Sequence, residues 1–393
     1  MPVKGFKFSA VEAAVKKPGR LDLGLIFSEV PAVAAGVFTT NKVKAAPVVL
    51  GIERIKDGLC QAIVVNSGNA NACTGIRGMD DARETSRLVA EGLGIADEVV
   101  QVASTGVIGQ VLPMERLRAA VPKLVEGLES GSLDGVSRAI MTTDTFAKME
   151  IRQCEAAGVP YTIAGIAKGA GMIMPNMATM LAFIVTDAAV EQSWLKKVFS
   201  ESNDASFNII SVDGDTSTND TSLILANGMA GNPTIREGTG DAETFRSQLQ
   251  AVLLALAQQI VRDGEGATKF VEISIKGAQS VADAKKAAMA VANSSLVKTA
   301  FFGQDANWGR ILAAVGYSGA EVDADRIELF FDDVQMVRNG VFTGGNAEEK
   351  GSEVLKRKEF AVTVDLKLGQ GEATVYTSDL SYEYVKINAD YRT

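Results

Sequence analysis

Histidine is missing from all 393 residues. Its absence excludes every Ser-His-Asp or Cys-His catalytic arrangement. It also excludes the common histidine-rich zinc and iron sites, and no metal site is expected. Acid–base work must fall to another group. Cysteine is nearly missing too. Cys60, Cys73 and Cys154 form no C-x-x-C pair and no disulfide framework. Three reduced thiols in a cytoplasmic protein are expected. Basic charge is in deficit, with a formal net charge of −9. Nucleic-acid binders carry basic patches, none is readable here, and no nucleic-acid partner is expected. The N-terminus, MPVKGFKFSAVEAAVKKPG, lacks the apolar core of a signal peptide. Residues 169–186 carry no charge, about the length of a membrane span. However, Gly169, Gly171, Pro175 and Asn176 interrupt them. A Pro-Asn pair would break a helix near its middle. The stretch reads as a loop followed by a buried strand, with no membrane association.

What is present is ordinary for a soluble globular protein: 47% hydrophobic and 22% charged residues. The length suggests about two or three domains of roughly 150 residues. Apolar runs ending in Gly, Asn or Ser predict strands at AAGVFTT (from Ala34), APVVLG (from Ala46) and QAIVVNSG (from Gln61). Helical patterns follow, from Asp81, a plausible N-cap, and from Met114. A second strand set comprises YTIAGIAKG (Tyr161), MLAFIVT (Met180), FNIISVD (Phe207) and TSLILAN (Thr221). An amphipathic helix spans about 241–261, and another starts near Ala282. The strands FVEISIKG, RIELFF, FAVTVDL and EATVYTS complete the pattern. Strands mixed with helices predict an α/β or α+β protein. Without regular βαβ alternation a doubly wound sheet is not favoured. A composition change near Gly277 divides a main domain of about 1–276 from a smaller C-terminal α/β domain of about 277–393.

The chemistry is read from AKGAGMIMPNMATMLAFIVTD, residues 167–187. A glycine-rich loop permits close backbone approach. Thr179 then opens an apolar strand. On pattern alone this is a turn entering a core strand, with Thr179 a satisfied hydroxyl. The segment resembles the self-cleavage site of the ornithine acetyltransferase family, the glutamate N-acetyltransferases of arginine synthesis. The resemblance continues through FTTNKVKAAPV, VVNSGNANACTG, ASTGVIGQ, MTTDT, GDTSTNDT, RDGEGATKF, GQDANWGRI and the terminal YVKINADYRT. These nine motifs, in order, cover nearly the whole chain.

That resemblance implies a layered sandwich of mixed sheets and helices, similar to N-terminal-nucleophile hydrolases. It implies a cut between Ala178 and Thr179, giving an α chain of 1–178 and a β chain of 179–393. The liberated α-amine of Thr179 would have a reference pKa of about 7.7–8.0 and could take the proton of its own hydroxyl. This replaces the missing imidazole. Thr105 and Gly106, in an S-T-G turn, would supply the oxyanion hole. Thr142, Lys168, Thr179, Glu265, Asn388 and Thr393 would bind substrate. Lys168 is a candidate partner for a carboxylate, and Glu265 for an amine. The substrates would be N-acetylornithine and glutamate. Some family members take acetyl-CoA as acetyl donor, and for this chain the point stays open. No resident cofactor is expected, and the fragments would assemble as an α2β2 heterotetramer.

Two rivals stand beside this reading. One is a self-processing aminopeptidase or amidase with water as acceptor. The other is a metabolite-binding protein without enzymatic activity. Two further motifs are decoys. SVDGDTSTNDT has three aspartates but fails the calcium-loop template, and AKGAG lacks the phosphate-loop spacing.

Overall fold

The computed structural model describes residues 3–174 and 180–390. Ala178, Thr179 and Thr393 lie outside the described residues. The chain forms two compact units. Among the described residues, the first comprises those up to 208 and 215–260, and the second 209–214 and 261–390. The division falls at 260–261, so the expected boundary near 277 lies inside the second unit.

In the first unit, β1 (Phe6–Val11), β2 (Leu23–Phe38), β3 (Leu59–Asn69), β4 (Val100–Val107), β5 (Lys148–Ala156), β6 (Val159–Lys168) and β7 (Leu181–Thr186) follow in order. β8 (Ile210–Ser211) belongs to the second unit, and β9 (Thr221–Ala226) returns to the first. The order is β4-β3-β2-β9-β7-β6-β5, with β1 on β2. β3–β4 and β7–β9 are parallel and the other pairs antiparallel, so the sheet is mixed. Every residue of β7 and β9 is buried. A strand covered on both faces needs no polar alternation, which is why LAFIVT and TSLILA read as unbroken apolar runs.

The helices α1 (Ala46–Arg54), α2 (Gly75–Leu93), α3 (Met114–Glu126), α4 (Asp134–Ala139), α5 (Gln192–Asp204) and α6 (Gly240–Arg262) accompany this sheet. Ala62, Val64, Val100 and Val102 pack with Ala82, Val89, Leu117 and Leu124 of α2 and α3. The alternate residues Ile63 and Val65 join Phe183, Val185, Leu223 and Leu225 in a separate cluster. The period-2 alternation of β3 thus feeds two cores.

Three local expectations need correction. APVVLG from Ala46 is helical, the start of α1, not a strand. Pro47 suits the first turn of a helix, and Pro47, Val48 and Gly51 are buried at helical spacing while Val49 is exposed. Asp81 is not an N-cap, because α2 begins six residues earlier, at Gly75. Its first turn contains Gly75 and Gly78, which read as loop. A Cβ at Gly78 would lie 1.9 Å from Thr74 Oγ1, and the Asn71 side-chain amide donates to Gly78 O. The expected strand from Phe207 shrinks to the two residues of β8, preceded by a turn of 3₁₀ helix.

The second unit adds α7 (Val281–Asn293), α8 (Ser295–Phe302), α9 (Trp308–Gly316), α10 (Ala347–Leu355) and α11 (Tyr382–Asp390). Its strands are β10 (Phe270–Ala278), β11 (Glu328–Phe331), β12 (Val334–Arg338), β13 (Val341–Phe342), β14 (Glu359–Asp365) and β15 (Gly371–Ser378). Their order is β13-β12-β11-β14-β10-β15-β8, again a mixed sheet. Ile273, Ile275, Val362, Val364 and Val375 meet Ala284, Ala288 and Val291 of α7 in its core. The fold is α/β with helices on mixed sheets, as expected. Among the described residues no helix is long and apolar enough to cross a membrane.

Candidate active site

The S-T-G sequence closes β4, which runs parallel to β3. Their register is regular to Ser67–Thr105 and Gly68–Gly106, then shifts, and Asn69 faces both Thr105 and Val107. Gly106 sits at φ +133°, and a Cβ there would come within 2.3 Å of the Gly68 carbonyl carbon. Only glycine allows the two backbones so close. The irregularity leaves Thr105 and Gly106 half-buried at the end of an otherwise buried strand.

A polar latch fixes this end. Ser104 Oγ donates to Asn66 Oδ1 at 2.6 Å, and Asn66 Nδ2 to Asn69 O at 2.9 Å. From the GDTSTNDT motif, Asn219 Nδ2 donates to Ala70 O at 2.6 Å and Ser104 O at 2.8 Å. Thr39 Oγ1 donates to Ser217 O, and Asn41 Nδ2 to Thr216 O. Met174, the last described residue before the expected cut, donates its amide to Asp215 O at 2.9 Å. Motifs far apart in sequence thus share one network. In the aspartate-rich stretch, Asp215 supplies its backbone carbonyl to this network and Asn219 its side-chain amide. Among the described residues no group of three potential metal ligands gathers.

Lys168 ends β6 and is buried. Its ammonium donates to Thr142 Oγ1 at 2.8 Å and to Thr105 Oγ1 at 3.4 Å. Because Thr105 Oγ1 accepts from Lys168, the Thr105 O–H is directed elsewhere and can serve as a donor. The structure therefore brings together Thr105, Gly106, Thr142 and Lys168, beside an open cleft of about 770 Å³ lined by Arg20, Met141, Thr142, Asp144 and Phe146, among others.

Asp144, not among the site residues expected from sequence, organises the group. Its side chain is 1% exposed and that of Lys148 is 0%. Asp144 Oδ1 accepts from Lys148 Nζ at 2.7 Å and from the Gly169 amide at 2.7 Å. Oδ2 accepts from the Thr142 amide at 2.9 Å and lies 4.0 Å from Lys168 Nζ. Burial alone would raise its pKa. Lys168 and Lys148, with the Lys148 hydrogen bond and the Thr142 amide, outweigh that and hold it at about 2. The carboxylate is thus ionised at neutral pH and fixes the backbone on both sides of the site. The only sequence signal was an Asp two residues after Thr142, whose burial depends on β5 and β6 pairing.

Glu265 and Asn388 lie in the second unit. Asn388 Nδ2 donates to Glu265 Oε2 at 2.8 Å, and Glu265 is buried. Gly266, at φ +66°, lets this loop pass the start of α11, since a Cβ there would meet Tyr384 N at 2.5 Å.

The ArgJ family model matches residues 7–393. The chain is 70% identical to the arginine biosynthesis bifunctional protein ArgJ of Geobacter sulfurreducens, covering 100% of both. It is 57% identical to the ArgJ protein of Syntrophotalea carbinolica, covering 100% of this chain and 99% of that one. The crystal structure of an ArgJ protein from Bacillus halodurans matches at 41% identity and a TM-score of 0.53. That match takes in 54% of this chain and 100% of the solved one. The chain belongs to the ArgJ family.

Proposed function

We propose that this ArgJ-family enzyme moves an acetyl group from N-acetylornithine to glutamate through an ester on Thr179. The gathering of Thr105, Gly106, Thr142 and Lys168 around one strand end carries the reading. Thr179 follows the segment anchored by Met174 to Asp215. After the cut between Ala178 and Thr179, its free amine takes the hydroxyl proton and the oxygen attacks the acetyl carbonyl. The Thr105 hydroxyl and the Gly106 amide receive the oxyanion, and nearby Lys168 adds positive charge. Ornithine leaves with the proton. Glutamate's amine then attacks the ester and restores Thr179. Lys168 and Thr142 hold a substrate carboxylate, and Glu265, with Asn388, an ammonium. Thr393 belongs to the same set.

In this reading the fragments 1–178 and 179–393 stay together as α2β2 in the cytoplasm. No resident cofactor is needed, and acetyl-CoA would enter as a second acetyl-donor substrate.

The test is to incubate the enzyme with N-acetylornithine, with and without glutamate. Ornithine release that depends on glutamate, with parallel-line initial-velocity plots, is expected. Acetate release indifferent to glutamate would replace the transferase with a hydrolase.

A further inference from the structure

Lys298, on α8, is 3% exposed, and no step of the proposed reaction uses it. Its ammonium donates to Thr377 Oγ1 at 2.9 Å, to Ser378 Oγ at 3.4 Å and to the Ser378 carbonyl. Leu380 N donates back to Lys298 O at 3.2 Å. The lysine therefore grips the point where β15 ends and the chain turns toward α11.

The next residues grip the loop that carries Glu265. Asp379 Oδ1 accepts from the amides of Thr268 and Lys269 at 2.8 and 2.9 Å, and Oδ2 accepts from Thr268 Oγ1 at 2.5 Å. Ser381 Oγ donates to Gly266 O at 2.6 Å. Tyr384 OH donates to Asp213 Oδ2 at 3.2 Å, and Asn388 reaches Glu265 itself. Residues 377–388 thus form a strap laid along residues 264–269, and Lys298 anchors its first turn. A buried ammonium is costly unless its hydrogens are used, and here they are spent on the strap. Burial draws Lys298 down to about 7 against the opposing pull of Asp379 and Asp213.

We infer that Lys298 is a positioning residue: by fixing the 377–388 strap it sets the Glu265–Asn388 pair for the ammonium end of N-acetylornithine. The inference rests on the role given to Glu265 above. It makes a selective demand, because the side chain of glutamate carries no ammonium. In a ping-pong reaction, kcat/KM for each substrate reports its own half-reaction.

The test compares Lys298→Met, Glu265→Gln and the double variant in full-length enzyme, with Asp379→Asn as a second probe of the strap should Lys298→Met fold poorly. For Lys298→Met, kcat/KM for N-acetylornithine should fall on the order of tenfold or more, while that for glutamate stays within about twofold. The double variant should lose little beyond Glu265→Gln alone, since both act through one group. A fall of equal size in both half-reactions would mark Lys298 as merely structural and overturn the inference. So would an unchanged Lys298→Met beside an impaired Glu265→Gln. A Glu265→Gln variant with unaltered N-acetylornithine kinetics would instead remove the Glu265 assignment and the inference built on it.

Discussion

Asp144 shows how much one buried carboxylate can settle. It holds two backbone amides and faces two lysines, one of which, Lys168, touches Thr105 and Thr142. Replacing it by Asn keeps the shape but leaves Lys148 buried without its charge partner. Breaking such a pair typically costs about 3–5 kcal/mol. The pH dependence has a definite sign. The folded pKa of about 2 lies below the ordinary 3.8, so the stabilisation is complete above 3.8 and is lost as pH falls through about 2. Urea unfolding of wild type and Asp144→Asn should show a large gap at neutral pH that narrows by roughly 2 kcal/mol in strong acid. A gap that does not change with pH would mean that Asp144 is not ionised in the native state. Sequence reading reached Thr142 and Lys168 on this site but not the acid between them. Pattern gives residue types, whereas the burial that makes Asp144 decisive comes from strands paired across the sheet.

Elements were legible where burial leaves an unbroken apolar run or a helical period. β6, β7, β9 and β10 lie where apolar runs placed them, and the long helix expected at about 241–261 is α6, Gly240–Arg262. Residues 46–51 misled because Val48 and Val49 favour strands, while the decisive signals were Pro47 and the buried spacing of α1. β4 is not legible as a strand because S-T-G looks like a turn. It is instead a strand end loosened by the close approach of Gly68 and Gly106. The latch from residues 214–221 to β3 and β4 could not be read at all, since its partners are over 100 residues apart. Asn219→Ala would strip hydrogen bonds from two buried carbonyls, Ala70 O and Ser104 O. The expected loss is about 2–4 kcal/mol in thermal or denaturant unfolding, with lower turnover as Thr105 loses its support. Full stability would show the latch to be ornamental.

At the scale of the molecule, the family was readable from nine ordered motifs, and the α/β class from mixed strands and helices. The domain division was not, because 209–214 leave the first unit to edge the second sheet through β8. No composition change marks such an excursion. In the proposed reading a threonine needs a base, and the new N-terminus left by the cut supplies the one that the missing histidine does not. Intact-mass analysis of purified, active enzyme tests that most directly. Self-cleavage predicts two polypeptides, residues 1–178 and 179–393, and a single uncut chain for Thr179→Ala. Acetyl transfer by an enzyme that remains one unbroken chain of 393 residues would contradict it.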